Sequence, residues 1–262
     1  MSLIMVLVAL AVLAISAIYP NLGLGGGYMY VPLLILFAGM EKNTAVALSL
    51  VLVASGAVAA AINHHRAGMV EMRLAACMSV GAVAGALFGV FFNLHINQWV
   101  FSVLFTSVLF AVCIRIAYDL WRKGDEADRP LPMGRRRRLA AAVASSVLAG
   151  FLAGALGVGG GFLYVPILCY LVGTKTKVAV GTSSMVIIST GIAGFLTYFI
   201  GGASALSADA PFYAVALAPF SIAGAYIGTR IGVRRLNAMQ IKALFLSLTL
   251  LMGAVMLLDL LL

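Results

Sequence analysis

The chain has 262 residues, of which 63% are hydrophobic and only 10% charged, with a formal net charge of +9 and a mean hydropathy of +1.12. Soluble domains carry roughly 25% charged residues, so this composition excludes a soluble globule, and it equally excludes disorder, which goes with few apolar residues. Twenty-eight glycines with no three-residue period and three cysteines exclude collagen-like and disulfide-stapled chains, which leaves an all-α, polytopic membrane protein.

The first apolar run, 1–19, has no Lys or Arg before it. A secretory signal needs such a basic start, so the run is read as part of the mature fold. It leads into a glycine cluster and a short apolar piece at 28–39. Full spans need about 20 residues and are predicted at 44–62, 72–92 and 98–121. The strongly hydrophilic stretch 122–138, RKGDEADRPLPMGRRRR, reads as a linker. Beyond it, 139–156 leads into a second glycine cluster and a short piece at 162–173, followed by spans at 178–200, 211–232 and 238–261. At about 1.5 Å per residue, twelve residues cover about 18 Å. The two short pieces therefore read as half-helices or re-entrant segments.

The sequence repeats itself. Residues 23–34 read GLGGGYMYVPLL and residues 157–168 read GVGGGFLYVPIL, identical at eight of twelve positions and offset by 134. The match continues in AVALS (45–49) against AVGTS (179–183). Gly85 and Gly89 match Gly224 and Gly228 once the loop near 203–211 is allowed about five extra residues. The chain thus reads as a repeat over 1–121, a basic linker over 122–138 and a second repeat over 139–262. These glycine stripes at four-residue spacing are the kind that lets helices pack closely.

Lys and Arg concentrate in cytoplasmic loops. A cytoplasmic linker puts fifteen of the seventeen basic residues inside, Lys42 being outside and Arg115 within a span. Each half is then one glycine-containing hairpin plus three transmembrane helices. Three is odd, so the halves are expected to be inverted, with both termini periplasmic. Inverted repeats with broken helices are a recurring plan of secondary transporters.

A flexible glycine run just before a short helix exposes unpaired N–H groups at the positive end of the helix dipole. Such an end binds anions without an ionised side chain. Gly25, Gly26 and Gly27 are therefore expected to face Gly159, Gly160 and Gly161 around one small anion. Packing alone is the competing role for these glycines. Hydroxyls of Ser49, Thr182 and Ser183, with Asn21 before the first cluster, are added as candidate substrate ligands. The difference between Ala47–Leu48 and Gly181–Thr182 argues against a hydroxyl site that obeys the two-fold repeat. His64, His65 and Arg66, at the expected cytoplasmic end of a span, are candidates for gating or proton coupling; an ordinary basic interfacial loop is the competing role. None of the eight acidic residues falls near the middle of a span, which disfavours cation transport. Cys77, Cys113 and Cys169 have no metal-ligand spacing, and no catalytic motif occurs. Neither an enzyme nor a cofactor or metal is expected, and the basic residues lie in loops where they imply no nucleic acid.

With its doubled GxGGGxxxVP, each copy followed by AVALS or AVGTS, the chain resembles the TauE/SafE family of sulfite exporters and related anion permeases. The resemblance covers nearly the whole length and implies a transporter of sulfite, sulfonate or related sulfur anions in the prokaryotic cytoplasmic membrane, working in export. The positions it carries over are Gly23, Gly25, Gly26, Gly27, Val31 and Pro32, with Gly157, Gly159, Gly160, Gly161, Val165 and Pro166. The expected partners are the small anion and the lipid bilayer, and a homodimer is compatible with the sequence. The alternatives are an anion channel, an uptake permease for another small organic anion, and a non-transporting membrane scaffold or sensor.

Overall fold

The computed structural model describes residues 3–121, 134–201, 206–235, 246–247 and 249–257. Among these residues the chain is helical and has no strand. Helix α1 runs over Leu3–Ile18 and tightens into a 3₁₀ turn at Tyr19–Leu22. A short helix α2 follows over Gly27–Phe37, then α3 (Lys42–Arg66), α4 (Met72–His95) and α5 (Gln98–Trp121). The second half gives α6 (Arg135–Leu156), the short α7 (Gly161–Val172), α8 (Thr176–Gly201) and α9 (Ala210–Arg235). Seven of these helices, all but α2 and α7, are long and apolar enough to cross a membrane.

One boundary departs from the expectation. The four arginines 135–138, read as linker, form the first turn of α6 behind Gly134, whose extended backbone (φ −63°, ψ 151°) starts the helix. Residues 122–133 of that linker lie outside the described residues, as does most of the span expected at 238–261.

The short helices owe their shape to proline. Pro32 and Pro166 lack an N–H and crowd the carbonyl four residues back. Beyond each, the helix widens into a π turn, Leu33–Phe37 in one half and Ile167–Val172 in the other. The amide of Met40 then closes on Leu34 and that of Thr174 on Leu168. Those two bonds are one another's counterparts at the 134-residue offset.

The halves are interleaved. The glycines of α4 lie on α6: Gly85 against the carbonyl of Val147 and Gly89 against that of Phe151. Their counterparts in α9 lie on α1: Gly224 against the carbonyl of Leu13 and Gly228 against that of Ala17. Leu13 and Ala17 are the 134-offset counterparts of Val147 and Phe151. Each half therefore packs its long glycine-striped helix on the opening helix of the other, backbone to backbone. Helices α3 and α8 touch with Leu50 and Ala54 at Gly191, Leu50 at Gly194, and His64 at Gly181. Rising numbers on one meet falling numbers on the other, so these two equivalent helices run antiparallel. The outward faces are apolar: Val80, Phe88, Ile114, Ile200 and Val215 are each at least two-thirds exposed, as side chains that face lipid must be.

Lys42, the basic residue at odds with the charge rule, has a structural partner. Its ammonium donates to the carbonyls of Asn93 (2.9 Å) and Ile96 (2.6 Å). A cation on the last carbonyls of a helix satisfies them and complements the dipole, so Lys42 ties the start of α3 to the end of α4.

Candidate functional site

The two glycine clusters meet. They do so near the middle of α3 and α8, where Gly25 and Gly159 both lie against Val53 and Ile187. Residues 53 and 187 are themselves counterparts at the 134-residue offset. Gly26 and Gly160 precede the short helices at φ +90° and +75°, a left-handed conformation that only glycine adopts freely. It turns each chain sharply from the loop into the helix. Gly27 and Gly161 serve close approach instead. The Cα of Gly27 packs on the carbonyl of Gly157, and that of Gly161 on the carbonyl of Gly23.

Serines lock the same two carbonyls. Ser49 donates to the Gly157 carbonyl at 2.7 Å and Ser183 to the Gly23 carbonyl at 3.2 Å. Both serines are fully buried. The difference at positions 47–48 against 181–182 thus leaves the two serines equivalent. Their hydroxyls hold the loops together in this structure and do not stand free for a ligand.

The amides are arranged differently. The Gly26 carbonyl takes the amides of Met29 and Tyr30, and the Gly160 carbonyl those of Leu163 and Tyr164. Among the hydrogen bonds of the described residues none is made by the amides of Gly25, Gly26, Gly27 and Tyr28, nor by those of Gly159, Gly160, Gly161 and Phe162. These are the orphan donors that open any helix, here on buried residues.

Tyr28 was not singled out in the sequence, since an aromatic residue in an apolar helix ordinarily belongs to the core. Its ring meets that of its counterpart Phe162 edge to face, with centroids 5.5 Å apart. The Tyr28 hydroxyl is fully buried with no partner among the described residues. A buried hydroxyl without a bond is costly, and the counterpart phenylalanine shows that the packing does not need it. Tyr30 differs: its hydroxyl pairs with Ser16 at 2.5 Å, and Ser221 bonds onward to the Leu52 carbonyl at 2.7 Å. A signal for Tyr28 was present in the repeat, as the Tyr/Phe mismatch between two otherwise matching motifs.

The remaining candidates fall elsewhere. Thr182 accepts the Glu71 amide at 3.1 Å and secures the 67–71 loop. Asn21 donates to the carbonyls of Ala17 and Ile18 on its own helix. His65 and Arg66 are exposed, whereas His64 is buried. A cavity of about 180 Å³ lies at the other end of α3, lined by Ala47, Leu48, Phe195, Phe199, Ser207 and Pro211. It begins one residue from Ser49.

The sequence matches the sulfite exporter TauE/SafE family over residues 7–256. The chain belongs to the TauE/SafE family. Among similar proteins, the "Probable membrane transporter protein YunE" of Bacillus subtilis is 27% identical over 261 residues, covering 91% of this chain and 90% of that protein. A "Probable membrane transporter protein" of Haemophilus influenzae is 29% identical, covering 70% and 68%. A "Sulfite exporter TauE/SafE family protein 5" of Arabidopsis thaliana is 30% identical over 122 residues, covering 44% of this chain and 27% of that protein. No solved structure matches. As a TauE/SafE member the chain is a multi-pass membrane transporter and not an enzyme.

Proposed function

We propose that this TauE/SafE protein is a secondary transporter that moves a small sulfur-containing oxyanion, such as sulfite or a sulfonate, out across the cytoplasmic membrane. The observation that carries this reading is the meeting of two helix N-termini with unbonded buried amides half-way along α3 and α8. The amides of Gly25, Gly26 and Gly27 and of Gly159, Gly160 and Gly161 hold the anion. The Tyr28 hydroxyl donates to it from one side, which makes the site asymmetric. Ser49 and Ser183 act as braces, positioning the loops through their carbonyls.

The antiparallel contact of the equivalent helices α3 and α8 supports an inverted repeat with its two-fold axis in the membrane plane. By the charge rule the start of α6 and the 67–71 loop then face the cytoplasm and both termini the periplasm. The cavity beside Ser207 and Pro211 serves as the outward vestibule, and the two hairpins alternate access around the fixed anion. With the inside negative, anion export is electrically downhill by about 2.3 kcal/mol per charge per 100 mV, so no coupling ion is required for that direction.

Purified protein in proteoliposomes tests this. Labelled sulfite and methanesulfonate should show saturable flux that is lost in Gly26→Val and Gly160→Val, with insertion checked separately. A side chain at those positive φ values and against Tyr30 or Tyr164 rebuilds the helix start. Unchanged flux in both variants refutes the amide site, and flux that never saturates makes the protein a channel.

A further inference from the structure

The halves cross at one more pair of equivalent positions. Tyr198 of α8 is fully buried, and its hydroxyl donates to the Gly154 carbonyl in the last turn of α6 at 3.4 Å. Its counterpart 134 residues earlier is His64 of α3, and the counterpart of Gly154 is Pro20. The His64 ring stands beside the Pro20 carbonyl. Only 3% of His64 is exposed, and neither ring nitrogen closes a hydrogen bond among the described residues. Its Cβ packs on Gly181, and its backbone carbonyl receives the Met69 amide at 2.9 Å. The ring is thus enclosed between the 3₁₀ turn after α1, the start of α8 and the 67–71 loop. Each hairpin has its first limb faced by a ring from α3 or α8, a phenol that bonds it in one half and an imidazole that stands against it without a bond in the other.

We propose that His64 is a proton-binding latch, which holds the α1–α2 hairpin closed when neutral and releases it when protonated. A neutral imidazole carries one N–H and one bare nitrogen and packs beside the Pro20 carbonyl without a bond. Protonation adds a second N–H and a full charge. Among the described residues, the charged groups and imidazole at this end of the surrounding elements are His65 and Arg66 on α3, Glu71 on the loop, Lys175 and Lys177 at the start of α8, and Arg230 on α9, with the Tyr19 phenol on the turn. All but Tyr19 are exposed, and among the described residues none bonds His64. An unpaired charge in that enclosure is costly, so the protonated ring gains by moving into water, and the turn packed on it is released. Imidazole titrates between about pH 5 and pH 8, whereas a phenol stays neutral up to about pH 10. The Tyr198 tie therefore does not respond, and the device acts on one face of the protein only.

Hydrogen exchange of the full chain in lipid nanodiscs, without substrate, tests the latch independently of the anion site. After correction for intrinsic rates, exchange over residues 17–24 should rise about tenfold from pH 8 to pH 5.5, one decade being the response to about one pH unit of coupling. Exchange over the counterpart 151–158 should stay flat. The rise should vanish in His64→Tyr, which copies the other half, and in His64→Gln, which keeps a neutral donor should the larger ring fail to fit. A flat native response overturns the proposal. So does a rise that survives in either variant, or one shared equally by 151–158.

Discussion

Replacing Gly27 with alanine probes the contact between the halves more directly than any other single change. Gly27 opens a helix with ordinary backbone angles, so alanine carries no conformational penalty there. The whole effect is steric. A Cβ on Gly27 would fall on the Gly157 carbonyl and 2.5 Å from the Cα of Val158. Neither neighbour is a side chain that can rotate away. Ordinary contact begins near 3.4 Å, so the two loops must part by about 1 Å. Overpacking of this kind costs about 1–3 kcal/mol, and parting the loops also lengthens the Ser49–Gly157 bond. Gly161→Ala should behave alike, because its Cβ meets the Gly23 carbonyl and comes within 2.9 Å of Leu24. At roughly 2–4 °C per kcal/mol for a chain of this size, that cost lowers the melting temperature in detergent by about 2–12 °C, and each variant should lose transport. Gly134→Ala is the control, since nothing lies within 4 Å of its Cβ. The double variant should lose less than the sum, because loops already parted by one alanine accept the second. Native melting and native flux in both single variants would show that the loops do not touch as described.

Other outcomes follow from the same contacts. Ser49→Ala and Ser183→Ala each leave a buried carbonyl short of one donor and should cost about 1–2 kcal/mol, equal within error by thermal melting. A large difference between them contradicts the two-fold equivalence. Tyr28→Phe should leave stability unchanged or slightly raised, since it removes an unbonded hydroxyl, while weakening anion binding about tenfold for one lost hydrogen bond. Unaltered affinity by titration calorimetry confines Tyr28 to packing. In intact cells, a cysteine at Ile96 should react with an impermeant maleimide from outside and one at Ala67 should not. The reverse pattern overturns the orientation.

Much of this architecture was legible because the repeat is nearly literal where the chain needs it. GxGGGxxxVP specifies a sharp turn, a close approach and a π-widened short helix, and it occurs twice at one offset. With five extra residues allowed near 203–211, the repeat matches Gly85 and Gly89 on α6 with Gly224 and Gly228 on α1, while the partners Val147 and Phe151 match Leu13 and Ala17 at the plain offset. Hydroxyl roles were not legible. Ser49 and Thr182 look alike as polar residues in matching stretches, yet one braces a glycine loop and the other a surface loop. The difference depends on which way each points around its helix, and no residue spacing encodes a partner more than a hundred positions away. The equivalence of His64 and Tyr198 is not legible in the sequence, because the two residues share no chemistry and are matched only by the carbonyls they face. The four arginines 135–138 read as linker because charge dominates that stretch, although Gly134 and the alanines beyond favour a helix that starts among them.

In the proposed transporter, backbone amides from both halves close on one anion. Soaking the protein with selenate or selenite and locating selenium by its anomalous scattering tests that most directly. The signal should lie within hydrogen-bond reach of the amides of Gly26, Gly27, Gly160 and Gly161, beside the Tyr28 hydroxyl. A signal elsewhere in the protein, or none at saturating anion, contradicts it.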